Sequence, residues 1–210
     1  MPSKSGLAVQ LSKIESFKDP KLKREQYITD SEVAADMLWM AHLQGDIEGK
    51  RVLDLGCGTG ILGIGALLLG ASHVTFVDSD PDALEIVQKN LKSEGLESDF
   101  ELIQEDIREI CLKGDTALQN PPFGNRRTHA DRAFLDAAMR SADVLYSIHM
   151  ATTKSFLEVY TRDNGFRITH TQTHEFPLKS TYAHHRRRIH RIQTLTIRAQ
   201  AIEPQIGTGD

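Results

Sequence analysis

Cysteine is scarce in this sequence. The only two, Cys57 and Cys111, have no paired spacing, so neither a disulfide framework nor a cysteine-based zinc site can be built from the chain alone. Long hydrophobic runs are lacking as well. The longest, Ile61 to Ala71, is about half of the ~20 residues needed to cross a bilayer and reads as a buried helix. The chain begins Met-Pro-Ser-Lys-Ser-Gly-Leu, without the apolar stretch and small-residue cleavage site of a secretory signal. A cytoplasmic, reducing home with no membrane partner is the expectation. Histidines 149, 170, 174, 184, 185 and 190 crowd the carboxyl half but keep no common zinc spacing, so no metal site is expected. Repeats and low-complexity blocks are absent.

What is present is ordinary for a globular protein: 40% hydrophobic and 26% charged residues in a chain of 210, enough for one well-buried core. The spacing predicts a partly ordered arm over 1–26, with a weak helical pattern at Leu7, Leu11 and Ile14, one domain over 27–203, and a flexible tail over 204–210. Ser31 is expected to cap a helix running through Ala34, Met37, Leu38 and Ala41 to near Gly45. From Lys50 onward short β-branched runs alternate with amphipathic stretches, which predicts βαβ units around a mainly parallel sheet. The rhythm changes at the end, where Phe166–Thr173 and Ile189–Ala199 read as two strands with no helix between them. The expected fold is therefore α/β and Rossmann-like: a seven-stranded sheet, mostly parallel, with an antiparallel carboxyl-terminal strand pair at one edge.

The segment Asp54-Leu55-Gly56-Cys57-Gly58-Thr59-Gly60 follows the first of these strands and opens a helix. Glycines there let the backbone turn sharply and let a ligand approach the main chain. The spacing is Gly-x-Gly-x-Gly, not the Gly-x-Gly-x-x-Gly of pyrophosphate loops, which favours an adenosine-bearing ligand without a pyrophosphate. S-adenosylmethionine is such a ligand, and Asp54 suits the cationic amino group of its methionine, directly or through water. Asp78 ends the second strand, eighteen residues past Gly60, where an acid accepts both ribose hydroxyls. Asp106 follows the third strand, where it either accepts the amino group of the cofactor's adenine or caps a short helix through Glu109 N–H. Gly63 and Gly65 are assigned to close packing of helix on sheet. A tight turn used only for packing and a nicotinamide-dependent dehydrogenase are the competing readings of the loop.

Asn120-Pro121-Pro122-Phe123 comes directly after the fourth predicted strand, at the carboxyl edge where open α/β sheets bind ligands. Two prolines fix φ near −65° and remove two donors, leaving carbonyl oxygens as acceptors. An exocyclic amine is a poor nucleophile because its lone pair is delocalised. The Asn120 side-chain oxygen and the Pro121 carbonyl can hold both of its N–H bonds and aim the lone pair at a methyl group, while Phe123 stacks on a flat substrate. A paired adenine cannot reach such a pocket, so the target is unpaired or flipped out. A rigid turn with an aromatic plug is the competing reading.

The net charge of −4 hides a local contrast. Residues 184–191, His-His-Arg-Arg-Arg-Ile-His-Arg, carry four arginines and no acid, which leaves −8 for the remainder. Arg186, Arg187, Arg188 and Arg191 read either as a contact strip for RNA phosphates or as a solvated charge run on an edge strand.

Taken together these residues resemble the amino-methyltransferases with an Asn-Pro-Pro-aromatic motif. Glu25-Gln26-Tyr27-Ile28-Thr29, the glycine loop, Asp82-Ala83-Leu84-Glu85-Ile86, Asn120 to Gly124 and Tyr146-Ser147-Ile148-His149 resemble the methyltransferase-like five family over about residues 18 to 200. That family methylates the N6 of an adenosine in small-subunit ribosomal RNA. The resemblance implies that Gln26, Thr29, Gly56, Thr59, Ile61, Asp78 and Asp106 line the cofactor pocket and that Asn120 to Phe123 hold the base. Its eukaryotic members work with a small zinc-binding activator protein, so such a partner is an expectation here beside RNA. The chain departs from the family at Ile28, where proline is usual, and in the histidines and arginines of 182–188. The expected function is S-adenosylmethionine-dependent methylation of an adenine amine in RNA. A protein glutamine amide methyltransferase and a non-catalytic cofactor-binding scaffold are the alternatives.

Overall fold

Four strands, β1 (Arg51–Leu55), β2 (His73–Asp78), β4 (Thr116–Gln119) and β5 (Val144–Met150), are buried almost end to end, as β-branched and apolar runs covered on both faces must be. They pair in parallel, and β3 (Phe100–Gln104) continues the parallel set beyond β2. β6 (Phe166–Leu178) and β7 (His190–Ala201) are antiparallel to each other, and β7 is antiparallel to β5. The order across the sheet is β3-β2-β1-β4-β5-β7-β6. The computed structural model describes residues 2–17, 29–122, 130–178 and 190–202.

Helices cover both faces. α1 (Lys4–Leu11), α2 (Ser31–Leu43), α3 (Ile61–Leu68) and α4 (Pro81–Ser93) pack on one, meeting strand residues such as Val52, Val74, Phe76, Leu118 and Tyr146. α5 (Ala130–Ser141) and α6 (Lys154–Asp163), the latter preceded by a 3-10 turn over Ala151–Thr153, cover the other, against Leu53, Val77, Ala117 and Leu145. The alternation Val52/Leu53, Phe76/Val77 and Val144/Leu145 divides each strand between the two core layers. Among the described residues no helix is long and apolar enough to cross a membrane.

Three local differences from the sequence reading have simple causes. Asp30, not Ser31, caps α2: its Oδ1 accepts from Glu32 N at 3.0 Å and Val33 N at 3.4 Å, and Ser31 becomes the first helical residue. The expected arm starts with a packed helix, since Leu7, Ala8 and Leu11 of α1 are buried in the core. The terminal strand pair is longer than expected, and Phe176-Pro177 lies inside β6 instead of in a linker. Proline is tolerated there because β6 is the outer strand and needs only one ladder.

This topology places a site. The strand order reverses between β1 and β4, and open α/β sheets bind ligands beyond the carboxyl ends of the strands at such a switch point. The β6–β7 ribbon adds to the same edge. Beyond the Met150–Thr194 pairing with β5 it runs on through Glu175–Gln193, Phe176–Ile192, Pro177–Arg191 and Leu178–His190. Those further rungs carry it about 13 Å past the end of β5.

Candidate functional site

The glycine loop is held from beneath by β2. Gly56 N and Cys57 N both donate to the Val77 carbonyl, at 2.8 and 2.9 Å, and Gly60 N closes the turn on Cys57 O at 2.8 Å. All three glycines have positive φ, +68°, +55° and +82°, so side chains there would be strained. A Cβ on Gly56 would stand 2.6 Å from the Phe134 ring, and one on Gly60 would stand 3.1 Å from both Val87 methyls. The loop therefore leaves its main chain bare between aromatic and apolar walls. As expected, a Cβ on Gly63 would collide with Phe76 and one on Gly65 with Leu38, so these two glycines serve packing.

The two acids near the loop are in different circumstances. Asp78 is half-buried; its Oδ2 accepts from Gly58 N at 3.0 Å and its Oδ1 from Asp80 N at 2.9 Å. The loop and the acid, twenty residues apart in sequence, are thus one site. Asp54 is 1% exposed, and its Oδ2 accepts from Gly63 N at 2.8 Å in the first turn of α3. Burial pushes its carboxyl up to about 7, the Gly63 N–H opposes that, and the nearby Asp78 charge adds to it.

Asp106 is matched to its neighbour. The Arg108 guanidinium donates to both carboxylate oxygens, Nε to Oδ1 at 2.9 Å and Nη2 to Oδ2 at 2.6 Å, and Arg108 N also reaches Oδ1 at 3.0 Å. The expected cap through Glu109 N–H takes another form: that amide donates to the Asp106 main-chain carbonyl at 2.9 Å. The side chain closes a turn, and no helix follows it.

At the end of β4 the chemistry changes from shape to acceptors. Asn120 Nδ2 donates to Thr29 Oγ1 at 2.9 Å, while Asn120 Oδ1 is buried with no hydrogen-bond partner among the described residues. Thr29, just before the α2 cap, so fixes which way the amide faces. Pro121 is buried and Pro122 half-buried. The preceding residue repeats the pattern: Gln119 Nε2 donates to Ser147 Oγ at 3.0 Å, and its Oε1 is buried with no partner among the described residues. Ser147 Oγ meets His149 Nε2 at 2.7 Å, and burial holds His149 neutral by pushing it down to about 4. A buried acceptor without a donor costs roughly 1–3 kcal/mol, so each of these two oxygens calls for an explanation.

Gln119, Ser147, Phe134 and Phe17 were not singled out for roles here by sequence. Glutamine closing the otherwise apolar Thr-Ala-Leu-Gln strand, and serine and histidine two apart on one face of β5, were the available signals. The two phenylalanines gave none, because long-range packing brings them to the loop. Of the sequence-derived candidates, Gln26, Phe123, Arg186, Arg187 and Arg188 lie outside the described residues. Arg191 is placed only through its strand, opposite Pro177.

Residues 31–147 match the family described as Methyltransferase small domain. The rRNA N(6)-adenosine-methyltransferase METTL5 of Danio rerio is 33% identical to this chain, covering 90% of it and 94% of the fish protein. The chain belongs to the methyltransferase-like five family. An uncharacterised Methanocaldococcus jannaschii protein is 35% identical over 96% of both chains. A solved structure from Pyrococcus horikoshii, a protein proposed to be an RNA methyltransferase, is 40% identical, with a TM-score of 0.89 over 96% of this chain and 99% of that one. The small-domain match takes in the glycine loop, Asp78, Asp106 and Asn120. The methyltransferase-like five likeness extends over nearly the whole chain, and so also reaches the terminal ribbon.

Proposed function

We propose that this chain is an S-adenosylmethionine-dependent RNA methyltransferase that acts in the cytoplasm on the exocyclic amine of an unpaired or flipped adenine, in small-subunit rRNA. The observation that carries the reading is Asn120: its amide is oriented by Thr29, and its oxygen is buried and unpartnered at the mouth of the site. Such an oxygen needs a donor, and an amine offers two N–H groups, one for Asn120 Oδ1 and one for the Pro121 carbonyl. Relatives named as rRNA N(6)-adenosine methyltransferases support the same substrate.

The residues present fit the cofactor. Gly56, Gly58, Thr59, Gly60 and Ile61 offer a bare main chain, Asp78 lies beside Gly58 N to take the ribose, and Asp54 is a buried carboxyl whose charge a nearby ammonium would restore. Gln26, Thr29 and Asp106 belong to the same proposed pocket. The bound cofactor supplies a methyl group on a positively charged sulfur. Asn120 and Pro121 turn the amine lone pair toward that methyl, and Phe123 holds the base by stacking. The amine nitrogen held by Asn120 and Pro121 would take that methyl group from the bound cofactor, and the nitrogen's extra proton would pass to water. Because the electrophile is already activated, positioning supplies most of the rate, up to roughly 7–11 kcal/mol for well-aligned reactants. Arg186, Arg187, Arg188 and Arg191 bind RNA phosphates; of these, Arg191 lies in β7 opposite Pro177.

The test is a single-turnover assay with methyl-labelled cofactor on bulk RNA and, separately, on protein. Label recovered as N6-methyladenosine is expected. Label in protein glutamine would move the substrate to an amide that the same acceptors can hold, and cofactor binding without transfer would leave a scaffold. Running the chain alone and with a small zinc-binding activator protein settles whether such a partner is needed.

A further inference from the structure

A buried amide on α4 joins the amino-terminal segment to the glycine loop. Asn90 is 2% exposed, at a position where the apolar stripe Ala83, Val87, Leu91 would accept leucine. It accepts from Glu15 N at 2.8 Å and donates to Glu15 O and to Thr59 O, both at 3.0 Å. Both amide hydrogens are therefore spent on main-chain carbonyls of two segments far apart in sequence. One turn earlier, Val87 packs against Gly60. The same face of α4 thus grips the loop and the segment that crosses it.

The consequence lies two residues past Glu15. A Cβ on Gly58 would lie 3.7 and 3.8 Å from the Phe17 ring, which places that ring in van der Waals range of the turn whose amide donates to Asp78. Phe17 is only half-buried, so part of the ring is open beside the acid assigned to the ribose. Anchoring the amino terminus does not require this arrangement, because Leu7, Ala8 and Leu11 of α1 are already fully buried in the core.

We propose that Asn90 is a positioning residue for the cofactor: by bracing Glu15 against Thr59 it sets Phe17 on the glycine loop, where the ring forms an outer wall for the nucleoside end of the bound molecule. This rests on the S-adenosylmethionine reading above. The chemistry recognised is a ribosyl-adenine, which an aromatic ring shields from water and holds by contact.

The experiment compares the full chain with Phe17→Ala, Asn90→Ala and the double variant. Calorimetry gives affinities for S-adenosylhomocysteine and for 5′-methylthioadenosine, a fragment lacking the amino-acid end, and unliganded melting temperature is measured alongside. Each single variant is expected to weaken both ligands roughly tenfold, the scale of a lost aromatic contact. The double variant should be no weaker than the weaker single, because Asn90 acts through Phe17. In methyl transfer the KM for cofactor should rise while kcat at saturation stays within twofold. If Asn90→Ala fails to fold, Asn90→Asp keeps the acceptor for Glu15 N and removes both donors, and Phe17→Ala alone still decides the wall. Parent-like affinities with a lowered melting temperature overturn the proposal and leave Asn90 as a packing residue. Absence of binding by the parent chain itself overturns the cofactor reading and this inference with it.

Discussion

Asn120 Nδ2 donates to Thr29 Oγ1, and its Oδ1 is buried with no partner among the described residues; the proposed function gives that oxygen to the substrate amine. Asn120→Ala should lower single-turnover methyl transfer about 10²–10³-fold, the scale for losing one preorganised polar group at a reacting centre. Cofactor affinity should stay within twofold, since the lost contact matters while the amine is being alkylated. Thr29→Val, which removes the acceptor that holds the amide, should fall between the parent and Asn120→Ala. A parent-like rate for Asn120→Ala would reduce the segment to a rigid turn. Asp54 makes a second expectation at this scale. Its carboxyl is raised to about 7, so the folded state binds the proton more tightly than the unfolded chain does. Its contribution is fully present below about pH 4 and is lost as pH rises through about 7. His149, pushed down to about 4, acts in the opposite sense: its contribution is present above about 6.5 and is lost as pH falls toward 4. The two partly cancel in the parent. Asp54→Asn should therefore show unfolding free energy rising more steeply with pH between about 4 and 7 than the parent, by denaturant titration, and identical slopes would remove Asp54 from the account. The glycines, Asp78 and Asn120 were legible from spacing because each sits at a fixed offset from a strand end. Asn90 and Gln119 were not, because their partners, Glu15 and Ser147, are 75 and 28 residues away.

Elements were legible where periodicity was strong, as in β1, β2 and α4, and boundaries slipped where two caps competed. Asp30 and Ser31 are adjacent good capping residues, and only the backbone geometry chooses between them. The first strand of the terminal ribbon was read as ending at Thr173 and runs on to Leu178; it can carry Pro177 because it is outermost. Its rungs from Glu175–Gln193 to Leu178–His190 continue past the end of β5, at the carboxyl edge of the parallel strands. Replacing Arg186, Arg187, Arg188 and Arg191 with alanine should weaken RNA binding at every sequence and flatten its salt dependence by about one unit of slope per lost phosphate contact. Cofactor affinity should not change. Binding measured from low to high salt checks this, and an unaltered slope would return the strip to an ordinary solvated surface.

At the scale of the whole molecule, alternation of strand and helix foretold the sheet, but no single-segment pattern could reveal what ties its distant parts together. Asp46, in the loop before β1, accepts from Tyr146 Oη at 2.6 Å and from Arg198 Nε at 2.7 Å, joining that loop to β5 and β7. All three side chains are buried. Arg198→Ala should destabilise the fold by about 3–5 kcal/mol, because it strands a buried carboxylate, whereas Arg162→Ala, whose ion pair with Asp163 is exposed, should cost under about 1 kcal/mol. Chemical denaturation of both variants compares them. The order β5-β7-β6 carries a further consequence, for how the protein is made. The strand that sits between β5 and β6 is made after both of them. Until it arrives, the edge of β5 stays bare and β6 has no β7 to pair with. A chain terminated before residue 190 loses the attachment of two strands instead of one, and should emerge as an aggregating species with an open sheet edge.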